Sequence, residues 1–225
     1  MKIEIDVKNT EELTLPVLDI FNSINGEINL FHQGSFATFI RIAGCNCSCT
    51  YCDTKESWDI KNGVELTLKS IVEQVKEIGC GNIMITGGEP LLYKEAVSPL
   101  ILLLRKSGFS ISIETNGTIS LEGIIPDCWV VDWKNPREGK FLLNNLDYLT
   151  CSDYIKHVIC TKEDYQYARK QVILYPEFNH VFSPMLTTNE KENKEVAQQL
   201  IDKMKNDGLF HVVFNYQIHK TIGCK

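Results

Sequence analysis

The sequence predicts an α/β protein built as a partial (β/α) barrel around a mostly parallel sheet. Three observations lead there. Short apolar, β-branched runs alternate with helix-periodic segments along most of the 225 residues, and strand–helix–strand order implies right-handed crossovers between parallel strands. Six or seven such units suffice to curl a sheet towards a barrel. The glycine-rich and polar clusters fall just after the strand-like runs, which is where barrel sites are built. The length suits one compact domain with a sizeable core.

Residues 1–14 are polar and charged and read as an extension ahead of a single domain spanning 15–225. Residues 36–43, rich in Phe, Ile and Thr, form a strand that stops at Gly44. Thr67 caps a helix with Ile71, Val75 and Ile78 on one face. Residues 82–86 are a short buried strand. Ala96, Leu100 and Leu103 mark the next helix, which ends by Gly108. Residues 110–114 and 129–132 are further strands. A strand at 154–159 leads into a helix carrying Tyr165, Ala168 and Val172. A strand at 180–182 precedes a long helix with Val196, Leu200, Ile201 and Met204 inward, and 211–216 closes the series.

Hydrophobic content of 44% and charged content of 23% are ordinary for a soluble globular chain. A net charge of −6 argues against non-specific nucleic-acid binding, because no basic stripe balances the phosphates. No apolar run approaches the roughly 18–20 residues of a membrane span. The N-terminus lacks the basic-then-apolar order of a signal peptide. Nine cysteines, odd in number and unevenly spread, make a poor disulfide framework. A reducing cytoplasm is therefore expected. Cys80, Cys128, Cys151, Cys160 and Cys224 are isolated and read as small buried or half-buried hydrophobes.

Cys45, Cys49 and Cys52 stand in a C-x3-C-x2-C spacing on one short segment. Thiolates are the ligands of iron–sulfur clusters, and an ordinary 4Fe-4S cluster takes four. Three protein ligands leave one iron open, the condition that separates a catalytic metal centre from a closed one. Cys47 leaves a second triad, Cys47, Cys49 and Cys52, formally open. A structural zinc would need a second C-x2-C or an H-x3–5-H pair, and none is present. Gly87-Gly88-Glu89-Pro90 follows a strand, and its glycines permit close backbone approach to a ligand. Glu114-Thr115-Asn116-Gly117, Asp132-Trp133-Lys134 and Phe182-Ser183-Pro184-Met185 also follow strands, so unrelated polar signals converge on one rim.

These motifs resemble those of radical S-adenosylmethionine (SAM) enzymes, and within them the 7-carboxy-7-deazaguanine synthase family, from about residue 15 to the end. The resemblance implies a radical-SAM-type partial barrel. It selects Cys45, Cys49 and Cys52 as ligands of a 4Fe-4S cluster and leaves Cys47 without a role. Tyr51, Cys52, Asp53, Gly88, Glu114, Asn116, Asp132, Trp133, Lys134, Phe182, Ser183, Pro184 and Met185 match cofactor-side positions, with Tyr51 beside the adenine and Gly88 at SAM. Ile24, Asn25, Gly26 and Glu27 match a family segment S-I-Q-G-E-G that reads a pterin ring, with Asn25 replacing Gln and Ile28 replacing the second glycine. Arg41 and Thr86 match substrate contacts. Arg41 suits a carboxylate because its fork is bidentate. Thr54 matches a Mg2+ ligand shared with the substrate carboxylate, as Mg2+ takes few protein ligands. The tail Gln217-Ile218-His219-Lys220 resembles the family's Q-x-H-K, so His219 and Lys225 close over the substrate. Arg137 and Glu138 replace two small residues of the family's pattern. The implied reaction converts 6-carboxy-5,6,7,8-tetrahydropterin to 7-carboxy-7-deazaguanine and ammonia on the route to queuosine. SAM is the recycled radical source, an electron donor such as flavodoxin or ferredoxin reduces the cluster, and the chain forms a homodimer.

Overall fold

The structure, a computed structural model, describes residues 10–225. One nine-stranded sheet runs in the order β3-β1-β2-β4-β5-β6-β7-β8-β9. Its strands are β1 (Thr14–Ile24), β2 (Phe36–Ile42), β3 (Val64–Thr67), β4 (Asn82–Gly87), β5 (Ser110–Thr115), β6 (Cys128–Asp132), β7 (Tyr154–Ile159), β8 (Asn179–Pro184) and β9 (Val213–Phe214). The pairings from β2 through β9 are all parallel, and β1 runs antiparallel to both β2 and β3. The sheet is thus mostly parallel and unclosed, the partial-barrel arrangement that the alternation implied.

Within residues 14–225 the α-helices are α1 (Leu68–Ile78), α2 (Lys94–Lys106), α3 (Lys162–Leu174), α4 (Glu190–Asn206) and the short α5 (Ile218–Ile222). Thr67 caps α1 by accepting from Ser70 N at 3.1 Å, and Gly79 ends it with φ of +74°, a left-handed turn that costs glycine little. Its inner face is Leu68, Ile71, Val72 and Val75. Ile78, expected inside, is exposed on the last turn. The inner line of α4 is Asn193, Ala197, Leu200 and Met204; Val196 and Ile201 sit half-buried on its flanks. Two strands escape the periodicity argument. Thr14–Ile24 carries Pro16, Asp19, Asn22 and Ser23 and shifts register between Val17 and Asp19. Val64–Thr67 is an exposed edge whose Val64 and Glu65 both face solvent. The closing strand shrinks to Val213–Phe214. The expected domain start at residue 15 falls one residue inside β1. Residues 1–9 of the expected extension lie outside the described residues.

The main core fills the space between the sheet and the first two helices, with Ile40, Ile42, Ile83, Ile85, Ile111 and Ile113 against Val75, Val97, Leu100 and Leu104. A second cluster joins Ile159 and Phe182 to Ala168, Val172, Leu200 and Met204. Strand side chains alternate between faces, so these core residues define the opposite parity as the concave face. Phe39, Arg41, Met84, Thr86, Glu114, Val130, Asp132, Lys156 and Val158 occupy that parity and line one cavity. All nine cysteines are free. Cys128 is buried, but Cys151 and Cys224 are exposed rather than packed, since both lie in surface segments outside the strands and helices. Among the described residues no helix is long and apolar enough to cross a membrane.

Candidate active site

The concave face encloses a cavity of about 220 Å³. Its wall comes from the loop after β1, the cysteine loop after β2, the ends of β4 to β8, and the C-terminal tail. Cys45, Cys49, Cys52, Tyr51, Asp53 and Thr54 line it, with Gly88, Glu114, Asn116, Asp132, Lys134, Ser183, Pro184 and Met185 from the strand ends. Ile24, Asn25, Gly26, Glu27, Arg41, Thr86, His219 and Lys225 line the remaining side.

Two expected cofactor residues lie elsewhere. Trp133 is 3% exposed and stacks on Phe141 with centroids 4.0 Å apart, while its indole N–H donates to Tyr167. Phe182 is fully buried against Tyr165 and His157. Each neighbours a lining residue, Asp132 or Ser183, so strand parity turns it to the helix side. Asn25 lies at the cavity wall, but its carboxamide is engaged inside its own loop. It donates to Asn29 Oδ1 and the Phe31 carbonyl, both at 3.0 Å, and accepts from Asn29 Nδ2 at 2.7 Å. Its two amide hydrogens are therefore spent on its own loop, while the carboxamide oxygen keeps one lone pair.

Close backbone contact couples the glycine motif to the cysteine loop. Glu89 N donates to the Gly44 carbonyl at 2.9 Å. A Cβ on Gly88 would stand 2.1 Å from that carbonyl oxygen, which excludes any larger residue. Glu89 is fully buried and accepts from Leu91 N, Thr115 Oγ1 and Asn116 N. It therefore joins two motifs beneath the cavity floor, and burial raises its carboxyl above the ordinary range despite those bonds.

The cysteine loop presents its thiols to the cavity. Cys47, which the family resemblance leaves idle, lines it as well and accepts from Asn116 Nδ2 at 3.5 Å. The hydrogen bond from Cys47 holds the Cys49 thiol down to about 7, with burial opposing and the Lys134 ammonium assisting. Lys134 is anchored to Asp132 Oδ2 at 2.5 Å and stands 5.4 Å from the Tyr51 ring. Among the described residues no three His, Cys, Asp or Glu side chains are grouped to hold a single metal ion. Cavity-facing thiols beside a cation suit a thiolate-bound cluster. Asp132 Oδ1 is buried without a hydrogen-bond partner. An orphaned acceptor in a cavity wall is a place for a ligand's donor.

The opposite side is a charge network. Lys156 Nζ lies 2.9 Å from Glu27 Oε2 and 3.7 Å from Glu114 Oε1. Glu114 accepts from Thr86 Oγ1 at 2.9 Å, and Glu27 from Gln217 Nε2 at 2.5 Å. Burial pushes the Glu27 carboxyl up, but Lys156 and the donated hydrogen bonds outweigh it and hold it below its ordinary value. For Glu114 burial wins and the carboxyl is raised. Burial opposes the Lys156 ammonium, yet Glu114 and Glu27 together hold its pKa well above the ordinary value. Lys156 was not singled out from sequence; its signal is a lysine at cavity parity inside a buried strand. Gln217 and Lys220 also join the wall, and Lys220 pairs with Asp53 at 2.6 Å. Burial opposes the Asp53 charge, but Lys220 holds that carboxyl near 2.

The tail docks on the loop after β1. Asn215 Oδ1 accepts from Ile28 N at 2.9 Å, and Ile218 N donates to the Gly26 carbonyl. A Cβ on Gly26 would fall 1.8 Å from His219 Nδ1, so the glycine admits the imidazole. Lys225 pairs with Asp19 and stands 4.6 Å over the Phe21 ring, with Arg41 4.8 Å from the same ring. Thr54 begins a 3-10 turn without capping it; its hydroxyl donates to Asp53 Oδ1 at 3.1 Å.

Comparison with known proteins gives a consistent picture. Residues 39–126 match the radical SAM superfamily. The chain is 35% identical over 216 residues to 7-carboxy-7-deazaguanine synthase of Clostridium acetobutylicum, covering 92% of this chain and 95% of that one. It is 44% identical over 202 residues to the enzyme of that name from Pyrobaculum aerophilum, covering 85% and 88%. The fold matches the crystal structure of QueE from Escherichia coli with a TM-score of 0.75 at 21% identity, over 95% of this chain and 99% of that one.

Proposed function

The chain belongs to the 7-carboxy-7-deazaguanine synthase family of radical SAM enzymes, and we propose that it converts 6-carboxy-5,6,7,8-tetrahydropterin to 7-carboxy-7-deazaguanine and ammonia in queuosine biosynthesis. One observation carries this reading. The cysteine loop, the Gly87-Gly88 turn, the ends of β5 and β6, and the Glu27 and His219 segments line a single cavity. When bound, the 4Fe-4S cluster and SAM supply a carbon radical that abstracts hydrogen, chemistry that belongs to the cofactor rather than to a side chain.

The residues divide this work by position. Cys45, Cys49 and Cys52 hold the cluster. Gly88 offers SAM its backbone at the cavity wall, Asn116 and Asp132 offer it polar atoms, and Tyr51 offers a ring. Phe21 and Phe39 stack with centroids 5.2 Å apart, giving an apolar wall for a flat heterocycle. Arg41 stands at its edge and takes the substrate carboxylate as a bidentate fork. Glu27, kept anionic by Lys156 and Gln217, accepts from ring N–H groups. Thr54 would offer its hydroxyl oxygen to a Mg2+ ion, which takes few protein ligands and would help orient the substrate carboxylate. The enclosure formed by the tail excludes water from the reacting centre. A reduced flavodoxin or ferredoxin donates the electron, the working form is a homodimer in the cytoplasm, and residues 15–225 act as one domain.

The test is anaerobic reconstitution followed by turnover with the carboxypterin, SAM and reductant. The expected result is one 4Fe-4S cluster per chain and many product molecules per SAM. Accumulation of one 5′-deoxyadenosine per product contradicts recycling, and no product at all contradicts the substrate.

A further inference from the structure

We infer that Glu138 is a positioning residue that grips the cysteine loop and lowers the reduction potential of the cluster held there; this rests on the iron–sulfur reading above. Glu138 lies in the loop after β6, with a side chain only 7% exposed. Its Oε2 accepts from Thr50 N at 2.9 Å and its Oε1 from Thr50 Oγ1 at 3.0 Å. Thr50 stands between Cys49 and Cys52. The Glu138 carbonyl lies 4.0 Å from Cys49 Sγ, a contact open only to the protonated thiol and lost when Cys49 binds iron as thiolate. Glu138 thus holds the loop through its side chain, at both the main chain and the hydroxyl of Thr50.

Glu138 is itself held from the far side. Arg137 Nη2 donates to Asp164 Oδ1 at 2.6 Å, and Arg137 Nε lies 3.7 Å from Glu138 Oε1. Asp164 is buried and closes the capping box with Thr161 at the start of α3. Glu138 N donates to the Asn135 carbonyl at 2.8 Å. A continuous path therefore runs from α3 through Asp164, Arg137 and Glu138 to Thr50. Arg137 and Glu138 are the two positions where this chain departs from the small residues of the pattern it resembles, so the grip is a feature of this chain.

Two consequences follow from the geometry. The Thr50 N–H is committed to a carboxylate and withheld from the cluster sulfurs, and hydrogen bonds to sulfur are one determinant of cluster potential. A carboxylate buried beside the cysteine loop also disfavours adding an electron, while its partner Arg137 is 43% exposed and screened by solvent. Both effects lower the potential.

The experiment compares Glu138→Gln, Glu138→Ala and Thr50→Val with the unaltered protein after anaerobic reconstitution, without substrate. Cluster potential is read by a redox titration followed by electron paramagnetic resonance, and cluster retention by iron release to a chelator. Glu138→Gln, which removes the charge and keeps the shape, should raise the potential enough to change the reduction equilibrium about tenfold, ~59 mV for one electron. Glu138→Ala should also release iron several-fold faster. Thr50→Val keeps the charge, so it should hasten release and leave the potential near the original. A Glu138→Gln protein with the original potential overturns the proposal, and if Glu138→Ala fails to fold the other two variants decide it. An unaltered protein that takes up no 4Fe-4S cluster refutes the iron–sulfur reading instead.

Discussion

Lys156→Met removes the cation shared by two cavity carboxyls. At an effective dielectric of about 20, unit charges at the observed 2.9 and 3.7 Å attract by about 6 and about 4.5 kcal/mol. Desolvating the ammonium offsets much of that gross attraction, and deleting one member of a buried ion pair typically costs about 3–5 kcal/mol. The lysine, Glu27 and Glu114 side chains are 12%, 15% and 25% exposed. The lower end of that range, about 3 kcal/mol near neutral pH, is therefore expected. The cost depends on pH, with a definite sign. With Lys156 present, Glu27 sits below its ordinary value, which adds stability above the unfolded carboxyl pKa and loses it as pH falls through the folded one. Without the cation, both carboxyls move above their unfolded values. The folded variant then binds more protons than its unfolded chain, so its stability falls as pH rises. Urea unfolding at pH 5 and pH 8 reads this directly: the gap between variant and original should be wide at pH 8 and narrow at pH 5. Adding Glu27→Gln to Lys156→Met should recover part of the loss at pH 8. A gap below ~1 kcal/mol, within the range of an exposed pair, or one equal at both pH values, would refute the charge-balancing role.

Replacing Cys45, Cys49 or Cys52 with Ala should abolish SAM cleavage, whereas Cys47→Ala should keep it; a Cys47→Ala protein unable to hold iron would reassign the ligands. Thr54→Val should retain cluster and SAM binding and lose most Mg2+ stimulation of turnover. Superimposable Mg2+ titrations of the two proteins would remove Thr54 from the metal site. His157 and His180 form a buried relay, with His157 Nε2 and His180 Nδ1 3.1 Å apart and His180 Nε2 2.9 Å from the Tyr175 carbonyl. A carbonyl only accepts, so His180 donates through Nε2 and receives through Nδ1, and both rings are neutral. Burial and His180 hold His157 down to about 3. Its contribution is therefore complete above the unfolded value of about 6.5 and is lost between there and about 3, at up to ~1.4 kcal/mol per pH unit. Chemical denaturation between pH 7 and pH 4 should show a shallower acid loss in His157→Leu, and parallel curves would discount the relay.

Local spacing carries much of the architecture. Apolar runs ending at Gly44 and Gly87, and the Thr67 cap of α1, are short-range signals whose physics is complete within a few residues, and they survive into the structure. β1 was illegible because its pairing with β2 and β3 comes from residues up to 53 positions away, while its own polar residues hide the strand pattern. β3 was illegible because an exposed edge needs no apolar face.

The sequence by itself determined the chemistry on offer. The thiol spacing, the Gly87-Gly88 turn and the polar residues at strand ends are properties of contiguous chain, and the resemblance they carry extends over nearly all of it. Parity within each strand was also written there, and it separates Asp132 from Trp133 and Ser183 from Phe182 once the concave side is known. Which side is concave was decided only by tertiary structure, because it depends on where the helices pack. The same holds for Lys156 between Glu27 and Glu114, for Asn25 turned into its own loop, and for Glu138 on Thr50. Each is a contact between segments distant in sequence or a choice among neighbouring partners. Its energy depends on burial and on distances of a few ångströms, which residue spacing does not encode.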